Sequence, residues 1–257
     1  MENMQNVGLL NSIFEKIYVI HCAENIERYK NILFQKEQNN IDLDIWWTCY
    51  HPWSDIMMNG MILANTCRYI INGNELNLTR EFYTIIKTSY LKGYKNILIF
   101  EDDFQLMKSE YLNMFLTKVP SDFDIIQFSI LFNPNFYDIA NLNKEYENGN
   151  YFIKAPTGFW SNCGLALSRK GMEYFIKSID KEFQAADIPI FEDSNINKTF
   201  GKINLQNNLN HYIPTVPLIY LYDNNTSIQK NNKEKSIIYS LYNLIEKKYY
   251  NIYNGRL

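Results

Sequence analysis

The sequence predicts an α/β layered fold built around a mainly parallel central sheet. Short apolar, β-branched runs alternate along the chain with segments whose apolar residues recur at helical spacing. The run at 97–100 is continuously apolar, as expected of a strand covered on both faces. Alternating elements of this kind stack as helices against a sheet.

The elements follow in order. KIYVIHC at 16–22 reads as a strand, and 26–38 mixes polar and apolar residues at helical spacing. Residues 41–47 suggest a second strand, and 51–77 is irregular, Met-rich and punctuated by Pro52, Gly60 and Gly73. Its Met and aromatic residues read as local core. From residue 78, Phe82, Ile85, Ile86 and Tyr90 share one helical face, and Gly93 stands where a C-cap glycine closes a helix. The apolar run at 97–100 then stops at Glu101, Asp102 and Asp103. A helix at 109–118 and strands at 124–129 and 163–168 continue the alternation, with a polar surface loop at 133–150. Residues 212–222 look extended and 223–235 form a polar linker. Ile238, Leu241, Ile245, Tyr249 and Ile252 recur at helical spacing, which predicts a terminal amphipathic helix. The expected organisation is one domain over 1–228, followed by a linker and tail over 229–257. No internal repeat is evident.

With 257 residues and 46% hydrophobic content, the chain can bury one substantial core. Its formal charge of -3 gives no global basic field, which argues against a nucleic-acid partner and for small or locally recognised ones. The first twenty residues lack the charged start, long apolar stretch and cleavage site of a secretory signal, and no stretch reaches the length of a membrane span. The expectation is a cytoplasmic protein, with peripheral membrane attachment left open. The abundance of Asn, Ile, Lys and Tyr suits an AT-rich genome, cellular or viral; a viral source would place the chain in host cytoplasm or virion. Cys22, Cys49, Cys67 and Cys163 lie far apart, without the close pairs of zinc sites, and read as buried thiols.

The three acids carry the chemistry. They follow a buried strand and so lie at the carboxyl edge of the sheet, where open α/β sheets bind ligands. Clustered carboxylates repel one another unless neutralised, and hard oxygen ligands suit Mg²⁺ or Mn²⁺. Such an ion also bridges phosphate oxygens and stabilises a departing nucleoside diphosphate. The competing reading makes Asp102 or Asp103 the N-cap of a short helix.

The blocks EKIYVIHCAENIERYKNI, NILIFEDDFQL and GFWSNCGLALSRKGMEYFI, in that order, resemble glycosyltransferase family 25, which includes lipooligosaccharide and procollagen galactosyltransferases. Arg28 stands where the family has a spaced arginine after its first strand, and Leu78-Thr79 with Glu81 match its upstream Leu-Thr and Glu segment. Gly158 and the stretch from Gly164 to Gly171 resemble its glycine, small-residue strand and helix entry. Ala186-Asp187-Ile188-Pro189 resembles a segment with an isolated aspartate. The likeness closes on Pro214 to Tyr220 and Thr226-Ser227-Ile228. The chain departs at Lys87-Thr88, where many members carry Ser-His, which leaves donor preference open.

The resemblance implies a GT-A fold, the Rossmann-like fold of nucleotide-diphospho-sugar transferases. It implies metal-dependent, inverting transfer of a hexose, in the first instance galactose, from a UDP-sugar to a saccharide, glycolipid or glycoprotein. His21 to Asn25 are expected to line the mouth of the site, with Arg28 contacting phosphate or a structural carboxylate. Glu101 is expected to orient its neighbours, Asp103 to be the main ligand of Mn²⁺ or Mg²⁺, and Asp102 to support nucleotide or metal. Gly158 and Trp160 join the donor site; Trp160 reads as core or as a platform for a sugar face. Asp187 is the first candidate for the base that takes the acceptor's proton, with Glu192 and Asp193 in reserve.

Trp46, Trp47 and Trp53 read as core, and His51 and His211 as structural histidines. The tail has three readings: docking on the domain, self-association into a homo-oligomer, or rest on an anionic membrane. Docking leads. Two other functions compete with transfer: a catalytically inactive sugar-nucleotide- or glycan-binding protein, and another metal enzyme acting on phosphates.

Overall fold

The computed structural model describes residues 8–48, 67–68, 73–129, 139–155, 163–181, 183–184 and 209–221. Among them, helix α1 (Leu9–Ile13) leads into β1 (Lys16–Cys22), α2 (Ile26–Gln38) and β2 (Asp44–Thr48). A two-residue strand, β3 (Cys67–Arg68), precedes α3 (Gly73–Leu91), β4 (Asn96–Glu101) and β5 (Phe104–Leu106). Then come α4 (Ser109–Leu116), β6 (Ile125–Gln127), α5 (Ile139–Glu147), β7 (Phe152–Lys154), β8 (Gly164–Ser168) and α6 (Arg169–Lys181). The described elements close with β9 (Phe183–Gln184), β10 (His211–Pro214) and β11 (Ile219–Leu221).

Among the described residues, seven strands form the central sheet in the order β2-β1-β4-β8-β6-β10-β7. Strands β2, β1, β4, β6 and β10 share one direction, and β8 and β7 run against them. The sheet is therefore mainly parallel, as expected, with β8 as an antiparallel strand between two parallel groups. Burial follows the two-residue period of a strand. Ile17, Val19, Leu98, Phe100, Ile126 and Ala166 enter the core on one face, with α1, α2 and α4. Tyr18, Ile20, Ile97, Ile99, Ile125, Leu165 and Leu167 enter the core on the other, against Phe82, Ile85 and Ile86 of α3 and Met172, Phe175 and Ile179 of α6. That double covering is why the β1 and β4 sequences are apolar throughout.

Gly93 closes α3 at φ 85°, a left-handed conformation that glycine adopts without penalty. The predicted loop at 133–150 is corrected: α5 occupies 139–147. Leu142 is buried and Tyr146 stacks on Phe115 at 5.8 Å, a four-residue spacing hidden among polar neighbours. The predicted extended run at 212–222 divides into two strands. After β10 the chain bends, and β11 leaves the main sheet to pair antiparallel with β5. The linker and tail from 223 onward lie outside the described residues, as does the whole stretch 49–66. No helix among the described residues is long and apolar enough to cross a membrane.

Candidate functional site

Parallel pairing sets β1 beside β4, with Ile20 opposite Glu101, and β2 on the other flank, with Cys22 opposite Thr48. The β1–α2 turn and the acidic turn therefore emerge at the same carboxyl edge. The acidic turn is pinned from both sides. Phe100 before it and Phe104 after it are fully buried and stack at 4.4 Å, and Asn31 of α2 donates to the Phe104 carbonyl at 2.8 Å. Strand β5 begins at Phe104, so the acids cap no helix. The N-cap reading is thereby excluded.

Asn25 caps α2, its side chain accepting from the Arg28 backbone N–H at 3.3 Å. One turn in, Arg28 reaches across to the acids. Its Nη1 donates to Asp102 Oδ1 at 2.6 Å, and its Nη2 lies 3.4 Å from Asp103 Oδ2. The second Asp102 oxygen accepts from His21 Nδ1 at 2.9 Å and from the Cys22 backbone N–H at 3.2 Å. An ionised carboxylate only accepts, so the His21 proton sits on Nδ1. Burial alone would raise the Asp102 pKa, but the His21 hydrogen bond and the Arg28 charge outweigh it and hold the group below its usual value.

Asp103 differs. Burial pushes its pKa up to about 6, against the pull of Arg28 and with the help of the neighbouring Asp102 charge. Its other oxygen meets the Cys163 thiol at 3.5 Å, a weak donor. Cys163 is itself driven well up by burial and by the charges of Asp103 and Glu101. Cys22 is pushed to about 11 by burial and by the hydrogen bond to Glu24, so both thiols stay protonated and non-nucleophilic.

The structure thus brings His21, Arg28, Asp102 and Asp103 together, with the partly exposed Glu101 ending β4 beside them. His21 is a correction: it is fully buried beneath the turn and does not line the mouth, where Ala23 and Glu24 are exposed instead. Gly158, Trp160, Asp187, Glu192 and Asp193 lie outside the described residues.

Two participants were not foreseen. Cys163 carried no signal beyond its place before an apolar strand. Trp47, expected in the core, is 56% exposed at the same edge, held at 5.2 Å by His21 and at 5.4 Å by Tyr29. Strand alternation could have found it, because adjacent Trp46 and Trp47 must point to opposite faces. Trp46 takes the other side, against Tyr18, with its Nε1–H donated to Glu81.

Among the described residues, no group of three or more His, Cys, Asp or Glu is gathered to hold a metal ion. Mg²⁺-type ions need no such cage, since they commonly take one or two carboxylates together with substrate phosphates and water. Asp103, a buried carboxylate poor in donors, suits that role. Asp102, with both oxygens engaged by protein donors, suits it less.

No family model matches the chain, and no curated protein matches it. Among solved structures it is similar to the glycosyltransferase GlyE of Streptococcus pneumoniae TIGR4. The apo form is 12% identical, covers 92% of this chain and 63% of that one, and has a TM-score of 0.37. A second GlyE structure is 10% identical over 93% and 65%, with a TM-score of 0.39. This chain therefore spans under two thirds of both GlyE chains. Mouse xyloside xylosyltransferase 1, apo form, is 11% identical over 74% of each chain, at 0.31. A likeness of this depth says nothing about chemistry.

Proposed function

We propose that this chain is a GT-A-type glycosyltransferase that moves a hexose from a UDP-sugar to a saccharide, glycolipid or glycoprotein. The observation that carries the reading is Asp103: a carboxylate buried at the carboxyl edge of a mainly parallel sheet, met among the described residues by weak or distant donors and capping no helix. The order of the motif blocks supports family 25 within that class, and galactose as the first sugar to try.

Asp103 would hold Mn²⁺ or Mg²⁺, with Glu101 beside it. Once bound, the ion supplies charge stabilisation to the departing diphosphate. Asp102 keeps Arg28 and the β1–α2 turn fixed against the acidic turn, so donor phosphates meet a preorganised edge. The buried apolar floor of Phe100 and Phe104 strengthens these interactions by keeping water from below. In an inverting displacement, the acceptor hydroxyl attacks the anomeric carbon as the bond to UDP breaks, and its proton passes to a carboxylate. Asp187 is proposed for that proton, with Glu192 and Asp193 as the alternatives.

The test is UDP-hexose hydrolysis and transfer by the full chain, with Mn²⁺ and with chelator. Turnover that needs Mn²⁺ and releases UDP is expected. Turnover unaffected by chelator, or absence of any Mn²⁺-dependent UDP-sugar binding, overturns the reading; binding without turnover would leave a donor-binding protein in its place.

A further inference from the structure

Resting on that reading, we propose that Arg28 is an exchangeable counter-ion: it neutralises Asp103 while the site is empty and passes to the donor diphosphate when a divalent cation takes Asp103. The guanidinium is held unevenly. Its Nη1 is fixed to Asp102 by a short contact of 2.6 Å, and its Nη2 stands off Asp103 at 3.4 Å. Asp102 is further anchored by His21 and the Cys22 N–H, so that end of the fork is set. Among the described residues, Asp103 meets besides the guanidinium its own backbone N–H and the weakly donating Cys163 thiol.

A divalent ion arriving at Asp103 would share that carboxylate with a guanidinium a few ångströms away, and like charges at this range in a buried setting repel strongly. Arg28, 15% exposed, has little room to retreat into water. Pivoting about the Asp102 contact would carry Nη2 away from Asp103 while Nη1 stays in place. The diphosphate that accompanies the ion offers the planar fork a second bidentate partner. Arg28 thus keeps the acidic pair stable without ligand and becomes a phosphate-binding residue with it. The two roles predict opposite effects of one substitution.

Arg28→Gln keeps a donor for Asp102 and removes the charge. Mn²⁺ binding to the full chain, followed by electron paramagnetic resonance of the free ion, should tighten about tenfold, because a competing cation has gone. UDP binding by calorimetry at saturating Mn²⁺ should weaken about tenfold or more. Both affinities moving the same way, or neither moving, in a variant with native circular dichroism overturns the exchange and leaves the functional reading intact. Failure of the wild type to bind Mn²⁺ or UDP at all removes the functional reading and the exchange with it. A wild-type crystal structure with Mg²⁺ and UDP decides the matter should the variant not fold. The Nη2–Asp103 separation is expected to open beyond about 4 Å, the limit of an ion pair, with the Asp102 contact kept. A guanidinium still seated on Asp103 with both ligands bound refutes the proposal.

Discussion

Two buried aspartates stand at opposite edges of the central sheet, and they are supplied with partners very differently. Asp124, just before β6, is 7% exposed and accepts from Ser168 Oγ at 3.1 Å, Lys170 Nζ at 2.9 Å and the Asn210 N–H at 2.9 Å. Its carbonyl takes the Ser168 N–H, and Gly171 passes so close that a Cβ there would lie 2.1 Å from that oxygen. Asp103 is 4% exposed, yet has a guanidinium at 3.4 Å and a thiol at 3.5 Å. Burial alone does not mark a functional carboxylate. Asp124 uses its charge to stitch β6, β8, α6 and β10, whereas Asp103 holds charge that the fold leaves underserved.

The largest effects should separate these two residues. Asp103→Asn is expected to lower Mn²⁺-dependent turnover of UDP-sugar about 10³-fold, the scale of losing one preorganised electrostatic element. Its melting temperature should not fall, because the amide removes a poorly paired buried charge. Asp124→Ala should do the reverse. It strands the Ser168 and Asn210 donors and should cost about 2–3 kcal/mol in denaturant unfolding, with the partly exposed Lys170 adding little. Its affinity for Mn²⁺ and UDP should stay within about twofold, the two carboxylates standing at opposite ends of the strands and sharing no partner among the described residues. A stable, inactive Asp124→Ala would break the comparison.

A third prediction uses pH. Burial lowers the His211 pKa from 6.5 to about 4, so the unfolded chain takes up a proton that the native state refuses. Stability from this residue is full above 6.5 and is lost as pH falls through that window. Asp103 acts in the opposite direction. Raised from 3.8 to about 6, it favours the native state most below 3.8, and that contribution is lost as pH rises through 6. The two slopes oppose each other between about pH 4 and pH 6, and Asp102, held low, enters only below its ordinary value. Unfolding measured at about pH 6 and about pH 4.5 should show a loss of about 2 kcal/mol in Asp103→Asn and less than half of that in wild type. Equal losses in both would mean that Asp103 carries no native-state proton.

The asymmetry also shows what a sequence can disclose. That Arg28 meets Asp102 across 74 residues is not written locally, but the acidic turn itself was legible because it is local: an apolar run ending in three acids is one contiguous signal, and burial of β1 and β4 on both faces writes itself into unbroken apolar residues. The Asp124 network was not, because Asn210 comes to it from 86 residues away. The same holds for Cys163 against Asp103, 60 residues apart and set by β4–β8 pairing that no periodicity encodes. Helix α5 was missed for a different reason. Leu142 and Tyr146 pack on the core among its described side chains, with asparagines, glutamates and a lysine between and around them, so its pattern fell below what spacing alone can detect.

The smallest expected effect tests how far the acidic edge extends. Trp47 lies two strands from β4, and strand spacing puts it about 10 Å from the acids, a span suited to a base whose diphosphate sits at Asp103. His21 and Tyr29 hold the ring from within, while more than half of the residue faces solvent. Trp47→Ala should therefore change stability by less than about 1 kcal/mol while weakening UDP binding about three- to tenfold, the worth of one aromatic stack. Equal weakening of inorganic pyrophosphate binding would place the loss at the acids, through displaced His21, and not at the base. An effect confined to UDP would extend the ligand edge across β1 to β2, in contrast to the Asp124 edge, where the described carboxylate contacts all join parts of the protein to one another.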